Sequence, residues 1–295
     1  MSVPAAASSR RQTRASIQFD PNRAPYGFVV SLKRASLPGT RPDGAQDERD
    51  ASARVRQMFS DIAPRYDLLN HALSLSLDRL WRRRTAAALD HILRRPDARV
   101  LDLCCGTGDL ALALKRRATH TRSQGAAIFA SDFAHPMLVR AVEKSQSQSS
   151  AAASAPAGSA IFYSEADALT LPFADGSFDL VTAAFGFRNL ANYEAGLIEM
   201  FRVLRPRGEA AILEFSEPTA PVIAPLYRFY FTRILPRIGG AVSGRGLAYS
   251  YLPASVAKFP QPDHLAAMMS RAGFSGVAYK RWTCGVVTLH CGTRS

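Results

Sequence analysis

The chain has little cysteine, few acids and no long apolar run. Its four cysteines are Cys104, Cys105, Cys284 and Cys291, and none stands in a C-x-x-C pair. Neither a zinc ribbon nor a thioredoxin-type site is signalled. Free thiols suit a reducing, cytoplasmic compartment. No apolar stretch reaches the ~18 residues that a helical membrane span needs. The greasiest one, residues 223–238, is broken by Pro225, Arg228, Arg233 and Pro236. A membrane surface can still be touched, with the inner face of the membrane as its place, but a crossing is not expected. Asp and Glu total 24 against 37 Lys and Arg, a formal net charge of +13. That excess suits nucleic acid, an anionic membrane or an acidic cofactor, and charge alone does not choose among them.

The 295 residues are 47% hydrophobic and 21% charged, which is ordinary for a globular protein. Residues 1–50 read differently, with scattered Ser, Ala and Pro and no sustained period. They are Arg-rich and, before Asp43, contain one acid, Asp20. A targeting segment fits that composition, but no amphipathic Arg helix is evident, so a disordered N-terminal extension is the preferred reading. The rest, residues 51–295, reads as one domain. Within it SQSQSSAAASAPAGS, residues 145–159, reads as a flexible low-complexity insertion.

Apolar spacing predicts helices over 50–62, 77–93, 109–117, 193–204 and 262–272. Short apolar runs predict strands at 99–104, 126–130, 161–164, 178–185 and 209–215, with a closing pair at 277–280 and 285–290. Pro206 and Gly208 are expected to end the helix before the fifth strand. Alternating strands and helices imply an α/β, doubly wound, mostly parallel sheet of seven strands.

The first strand runs into RVLDLCCGTGD, residues 99–109. A glycine turn after a strand lets the backbone approach a ligand and aims a helix N-terminus at it. The spacing is not G-x-G-x-x-G, which disfavours a nicotinamide-dependent oxidoreductase. Asp102, Gly106 and Gly108 instead fit the D-x-x-x-G-x-G turn of S-adenosylmethionine (SAM) methyltransferases. Asp102 can hold the turn or the donor's ammonium. Asp132, thirty residues on at the end of the second strand, can accept from ribose hydroxyls. Asp167 and Ala168 follow the third strand, near where an adenine lies in such folds. Thr107 can cap the helix, bond the donor, or both. A plain tight turn and a solvated loop acid are the competing explanations, and the combination favours ligand binding.

Four stretches together make a more specific match. Residues 54–81 (RVRQMFSDIAPRYDLLNHALSLSLDRLW), 100–110 (VLDLCCGTGDL), 171–189 (LPFADGSFDLVTAAFGFRN) and 202–216 (RVLRPRGEAAILEFS) resemble the menaquinone and ubiquinone biosynthesis C-methyltransferases. The resemblance continues through SYLPASVAKFP and AGFSGVAYKRWTCGVVTLHCG and covers roughly residues 50–293. It implies a class I SAM-dependent, Rossmann-like fold and methyl transfer to a ring carbon of a prenylated quinol. By motif position it assigns donor contacts to Thr107, Asp132, Asp167, Ala168 and Ala184. It sets Asn70, Phe187, Arg188, Asn189, Tyr249 and Tyr251 around the ring. The chain departs from the family's usual residues at Leu69, Asp78, Cys104, Cys105, Ala184 and Arg205–Gly208. Asp78 stands where the family carries a His, so no role assumed for that His transfers.

The chemistry expected is attack by the ring carbon ortho to a quinol hydroxyl, in line with the donor methyl. A cation beside the hydroxyl favours the phenolate, which ordinarily forms only near pH 10. Arg188 is the candidate oxyanion stabiliser and Asn189 the group orienting the hydroxyl or a water. The alternative for Arg188 is a structural salt bridge. Demethylmenaquinol is preferred as substrate, on the YLPASVAKFP stretch. A 2-methoxy-6-polyprenyl-benzoquinol of ubiquinone biosynthesis is the alternative. A methyltransferase acting on nucleic acid lacks its base-flipping loop here, and a non-catalytic SAM-fold subunit sits poorly with the retained Gly106, Gly108 and Asp132. No metal is called for. A homodimer is left open.

From Pro218 to Pro262 there is no acid, while Arg228, Arg233, Arg237, Arg245 and Lys258 alternate with seven aromatic residues. Such a stretch suits a lid or an anionic membrane surface in peripheral contact, ahead of an ordinary helical cover and of nucleic acid.

Overall fold

The computed structural model describes residues 39–295 apart from 43, 121–125, 152–159, 219, 222 and 235–246. Four helices precede the sheet: α1 (Glu48–Ile62), α2 (Tyr66–Leu73), α3 (Leu77–Ala88) and α4 (Asp90–Leu93). There follow β1 (Arg99–Leu103), α5 (Asp109–His120), β2 (Ala127–Asp132), α6 (His135–Ala151), β3 (Ile161–Glu165) and β4 (Phe178–Ala184). The chain then forms α7 (Tyr193–Val203), β5 (Leu204–Phe215), α8 (Ile223–Phe229) and a π-helical turn at Tyr230–Ile234. It closes with α9 (Leu247–Lys258), α10 (Pro262–Arg271), β6 (Phe274–Trp282) and β7 (Val287–Arg294).

The seven strands lie in the order β3-β2-β1-β4-β5-β7-β6. The first five run parallel, and β7 pairs antiparallel with both β5 and β6. This is the doubly wound, mostly parallel sheet expected from the alternating pattern, and the class I, Rossmann-like arrangement that the resemblance implies. The pleat sends Val100 to one core and Leu101 and Leu103 to the other. The first core packs α3, α4 and α5 through Trp81, Leu89, Leu93 and Leu114. The second packs α7 and α10 through Leu197, Met200, Leu265 and Met269. Among the described residues no helix is long and apolar enough to cross a membrane.

The strand order reverses between β1 and β4, so the segments leaving their carboxyl ends diverge. Open α/β sheets bind ligands at that place. The two ends also touch. A Cβ built on Gly186 meets the Cys104 Cβ at 2.4 Å, so the loop after β4 needs glycine there. Phe185 beside it takes φ +60°, a left-handed conformation that costs an aromatic residue of order 1–3 kcal/mol and recurs at functional sites.

Three boundaries differ from expectation. Residues 145–151 of the low-complexity stretch are helical, as the last turns of α6. Ala, Ser and Gln cost a helix little, and Arg116 donates to the Gln148 side chain at 2.6 Å. The remainder of that stretch, 152–159, lies outside the described residues. β5 starts at Leu204 rather than Glu209. The strand absorbs Pro206 at a register shift against β4, where Arg207 turns left-handed at φ +64°. Finally, residues 44–50 are not all tail, because α1 begins at Glu48, capped by the Asp47 carboxylate accepting from Asp50 N–H. The reading of residues 1–38 lies outside the described residues.

Candidate active site

Two clefts open at the reversal point. The first is lined by Gly106, Asp132, Asp167, Ala168 and Asn189, with Phe59 and Tyr66 reaching in from the N-terminal helices. The second is lined by Tyr66, Asn70, Trp81, Phe185, Arg188, Phe215, Tyr227 and Tyr230. Both are open at their mouths, and with the solvent space there included they span about 650 and 830 Å³. Tyr66 and Phe185 line both, so the clefts meet there.

The first cleft is built on the turn after β1. Gly106 and Gly108 hold φ +53° and +81°, which glycine alone adopts without strain. Asp132 fastens the turn to the end of β2. Its carboxylate accepts from Gly106 N–H and from Ala134 N–H, both at 2.9 Å. Each oxygen keeps a lone pair for a further donor. Burial pushes this carboxyl up to about 6. Asp167 accepts from Leu169 N–H at 2.9 Å, which shapes the loop after β3 along the cleft wall. An adenosyl group with its ribose at Asp132 and its base near Asp167 and Ala168 fits this donor set.

Other assigned residues stand elsewhere. Thr107 is buried, its hydroxyl donating to Asp67 at 2.5 Å and accepting from Lys144 at 3.0 Å. That side chain is committed to a polar network on the outer side of the turn and does not line the first cleft. Asp102 is buried beneath it, accepting from Thr182 at 2.9 Å. Ala184 and Gly108 also lie outside the lining, as the last residue of β4 and the closing glycine of the turn.

Asp102 carries a pH signature. Burial raises its carboxyl to about 7, against 3.8 for the free group. The folded protein holds the proton to near pH 7, whereas the unfolded chain releases it near 3.8. This contribution to stability is therefore complete below about pH 4 and is lost as pH rises through 7. Asp102→Asn keeps an oxygen for Thr182 and cannot ionise. Thermal melts of the free protein should show its advantage over wild type widening from pH 5 to pH 8. A gap that stays constant with pH would contradict the assignment.

The second cleft is an aromatic chamber. Phe185 packs on Trp81 and Phe215, with ring centroids 5.9 and 4.7 Å away. Arg188 sits in its wall, buried, with its Cζ 5.5 Å over the Phe215 ring. The guanidinium Nη1 donates to the Phe185 carbonyl and, at 3.0 Å, to Glu214. Arg188 N–H also donates to Glu214 at 3.0 Å. Thus the salt bridge named as the alternative does form. It leaves Nε–H buried with no partner among the described residues. A buried donor left unmade costs about 1–3 kcal/mol, so this one stands ready for an acceptor.

Asn189 follows in the same 3-10 turn, Phe187–Asn189, and its side-chain oxygen accepts from Tyr251 at 3.2 Å. Arg188 and Asn70 line the second cleft, and Asn189, held by Tyr251, lines the first. Phe187, expected to face the ring, points instead into the second core. It is 1% exposed, stacked on Tyr193 and edge-on to Phe259. Phe187 packs into the core from this turn, while Arg188 lines the second cleft and Asn189 the first. Tyr249 lies in α9, and its side chain is outside the described residues.

Tyr66, Trp81 and Glu214 have no role assigned from sequence, whereas Tyr227 and Tyr230 belong to the acid-free aromatic segment read there as a lid or membrane-facing surface. Tyr66 stands in the matched stretch 54–81 and Glu214 at the end of β5, both readable signals. Burial raises the Tyr66 phenol above its ordinary value, against the pull of Arg188, so it stays a hydroxyl donor at neutral pH. Among the described residues one trio, His71, Asp78 and Asp109, is spaced to hold a metal ion. Arg82 already places a cation there, paired with Asp78 and 3.8 Å from Asp109.

The sequence model of the ubiE/COQ5 methyltransferase family matches residues 46–294. The chain belongs to this family. A relative from Thermus thermophilus, demethylmenaquinone methyltransferase, is 50% identical over 237 residues, 80% of this chain and all of its own length. A ubiquinone/menaquinone biosynthesis C-methyltransferase from Geobacter sulfurreducens is 42% identical over 241 residues, 82% of this chain and 88% of its own. Among solved structures, a SAM-dependent methyltransferase from Thermotoga maritima superposes with a TM-score of 0.56 at 16% identity, over 82% of this chain and all of its own. The cyclase SpnF superposes at 0.57 and 13% identity, over 88% and 98%. These two share the fold, and at such identity they say nothing of substrate. Of the departures Cys104 and Cys105, Cys104 lines the first cleft.

Proposed function

We propose that the chain methylates a ring carbon of a prenylated quinol, with demethylmenaquinol converted to menaquinol. The observation that carries this reading is Arg188, with a buried Nε–H unpartnered among the described residues, in the wall of an aromatic chamber that adjoins the cleft lined by Gly106, Asp132 and Asp167. The two relatives above, named for quinone methylation and covering most of this chain, support it.

SAM, when bound in the first cleft, supplies a methyl group on a cationic sulfur that leaves readily. The protein's own work is orientation and electrostatics. Trp81, Phe185 and Phe215 hold a flat ring and exclude water. Arg188 Nε–H donates to a ring oxygen and favours its ionised form, which pushes electron density to the ortho carbon. Asn189, fixed by Tyr251, aligns the neighbouring hydroxyl. Asp78 is a carboxylate in the chamber wall, but it is a weak base. Burial would raise its pKa, yet Arg82, Ser74 and His71 together hold it below the ordinary value. A water is the better proton acceptor.

The chamber mouth fits a lipid-tailed substrate. Leu75 in its rim is 77% exposed, and Leu226 and Phe229 stand out on the helix that also supplies Tyr227. Peripheral contact with the inner membrane face follows, through apolar side chains and the basic excess. Leu75→Glu with Leu226→Glu should abolish co-flotation with anionic vesicles. Unchanged flotation, or none by wild type, would remove the membrane contact. The ubiquinone-type benzoquinol remains a second reading, favoured by the relative whose name covers both quinones. The test is competition between the naphthoquinol and the benzoquinol for labelled methyl. Preferential labelling of the naphthoquinol is expected, and labelling confined to the benzoquinol would reverse the assignment.

A further inference from the structure

A short stretch ahead of α1 runs behind the loop that carries Arg188 and Asn189. Gly39 N–H donates to the Ala191 carbonyl at 3.1 Å, and Thr40 N–H to the Leu190 carbonyl at 2.9 Å. Gly39 has no room for a side chain, since a Cβ there would lie 2.2 Å from the Ala191 carbonyl carbon. Thr40 is 2% exposed, although threonine is mostly a surface residue. Its hydroxyl reaches the Arg188 carbonyl and the Tyr193 hydroxyl, which itself lies 3.0 Å from the same carbonyl. Further along, Lys258 donates to the Arg41 carbonyl at 3.4 Å and Asn192 to Glu48 at 3.3 Å.

The result is a clamp on both peptide groups of Arg188. Glu214 takes its N–H from the sheet side, and Thr40 with Tyr193 takes its C=O from the strap side. Leu190 and Ala191, bonded to the strap by their backbones, also line the first cleft. One segment thereby fixes the root of the guanidinium and part of the wall of the donor cleft.

We propose that Thr40, seated by Gly39, is a positioning residue for Arg188 and holds the methyl-transfer geometry from the side of the loop away from substrate. The proposal rests on the quinol-methylating function proposed above. Thr40 touches no reacting atom and acts through the Arg188 carbonyl. A displacement of 1 Å at such a group costs about a hundred-fold in rate, so a loosened loop shows in turnover before it shows in binding.

The test uses the full chain with Thr40→Val, Thr40→Ser and Gly39→Ala. Val keeps the shape and removes the hydroxyl, and Tyr193 still satisfies the carbonyl, so the fold survives. Thr40→Val should lower kcat roughly 10- to 100-fold with KM for donor and quinol within about two-fold. Thr40→Ser should restore kcat to within about two-fold, and Gly39→Ala should fall with Val. A second readout needs no substrate: amide exchange over residues 187–191 of the free protein should quicken in Thr40→Val and Gly39→Ala but not in Thr40→Ser. Wild-type kcat in Thr40→Val, Ser behaving like Val, a loss confined to KM, or unchanged exchange would each overturn the proposal. If the wild type methylates no quinol, the exchange measurement still decides the clamp, so the two failures are distinguishable.

Discussion

Replacing Arg188 by Ala is expected to cut kcat roughly 100- to 1,000-fold while donor affinity stays within about three-fold, the loss typical for one preorganised oxyanion donor. The size follows from burial. Arg188 lines a chamber walled by aromatic rings and its Nε–H is buried without a partner among the described residues, so a charged donor acts there at low dielectric. The guanidinium does not line the donor cleft, which is why binding there is spared. Folding must be separated from chemistry. Arg188→Ala leaves the Glu214 carboxylate buried without its cation, a loss of about 3–5 kcal/mol. Arg188→Ala combined with Glu214→Gln removes that charge and should recover most of the melting temperature without recovering turnover. Arg188→Lys keeps the charge but lacks the forked donor, so it should stay well below wild type. Recovery of turnover in the double variant would show that Arg188 serves only as the partner of Glu214.

Asp132→Ala is expected to weaken donor binding about 100-fold or more by calorimetry. Two effects combine. The acceptor for ribose hydroxyls disappears, worth about 1.5–3 kcal/mol for a charged group. The glycine turn also loses its tie to β2, because Gly106 and Ala134 N–H both end on this carboxylate. Asp132→Asn retains an oxygen and should sit between wild type and Ala. The Asp132 carboxyl is pushed up to about 6 by burial, so it is ionised above that pH and neutral below. Wild-type donor affinity should therefore fall as pH drops below about 6, and the Asn variant should lose this dependence. Affinity that is flat with pH in wild type would take Asp132 out of the binding site.

What could be read from sequence followed local pattern. β1, its glycine turn and the acid at the end of β2 are all written in short apolar runs with punctuation, and they stand where expected. Strand order and the early start of β5 are long-range properties. Pro206 and Gly208 look like a helix stop and are, but they are also the bulged first turn of a strand that β4 recruits. Phe187 stands away from the ring site because Tyr193 and Phe259 draw it into the core, and periodicity does not say which residue of a tight turn faces the cleft. Thr107 shows the same limit: its place beside the turn was right, yet Asp67 and Lys144 from distant helices occupy its hydroxyl. Glu214 gains its role through Arg188, twenty-six positions earlier in the chain. The acid-free aromatic segment divides as well. Tyr227 and Tyr230 wall the chamber and Tyr251 fixes Asn189, so its described part is a cover built into the site.

Methyl transfer to carbon across the two adjoining clefts is tested by incubating the purified chain with methyl-labelled SAM and demethylmenaquinol, followed by carbon NMR of the product. A single labelled methyl on the ring carbon beside a hydroxyl, formed roughly 100- to 1,000-fold more slowly with Arg188→Ala, is the predicted result. A label on oxygen, or an unlabelled quinol recovered from an enzyme that binds the donor, would contradict it.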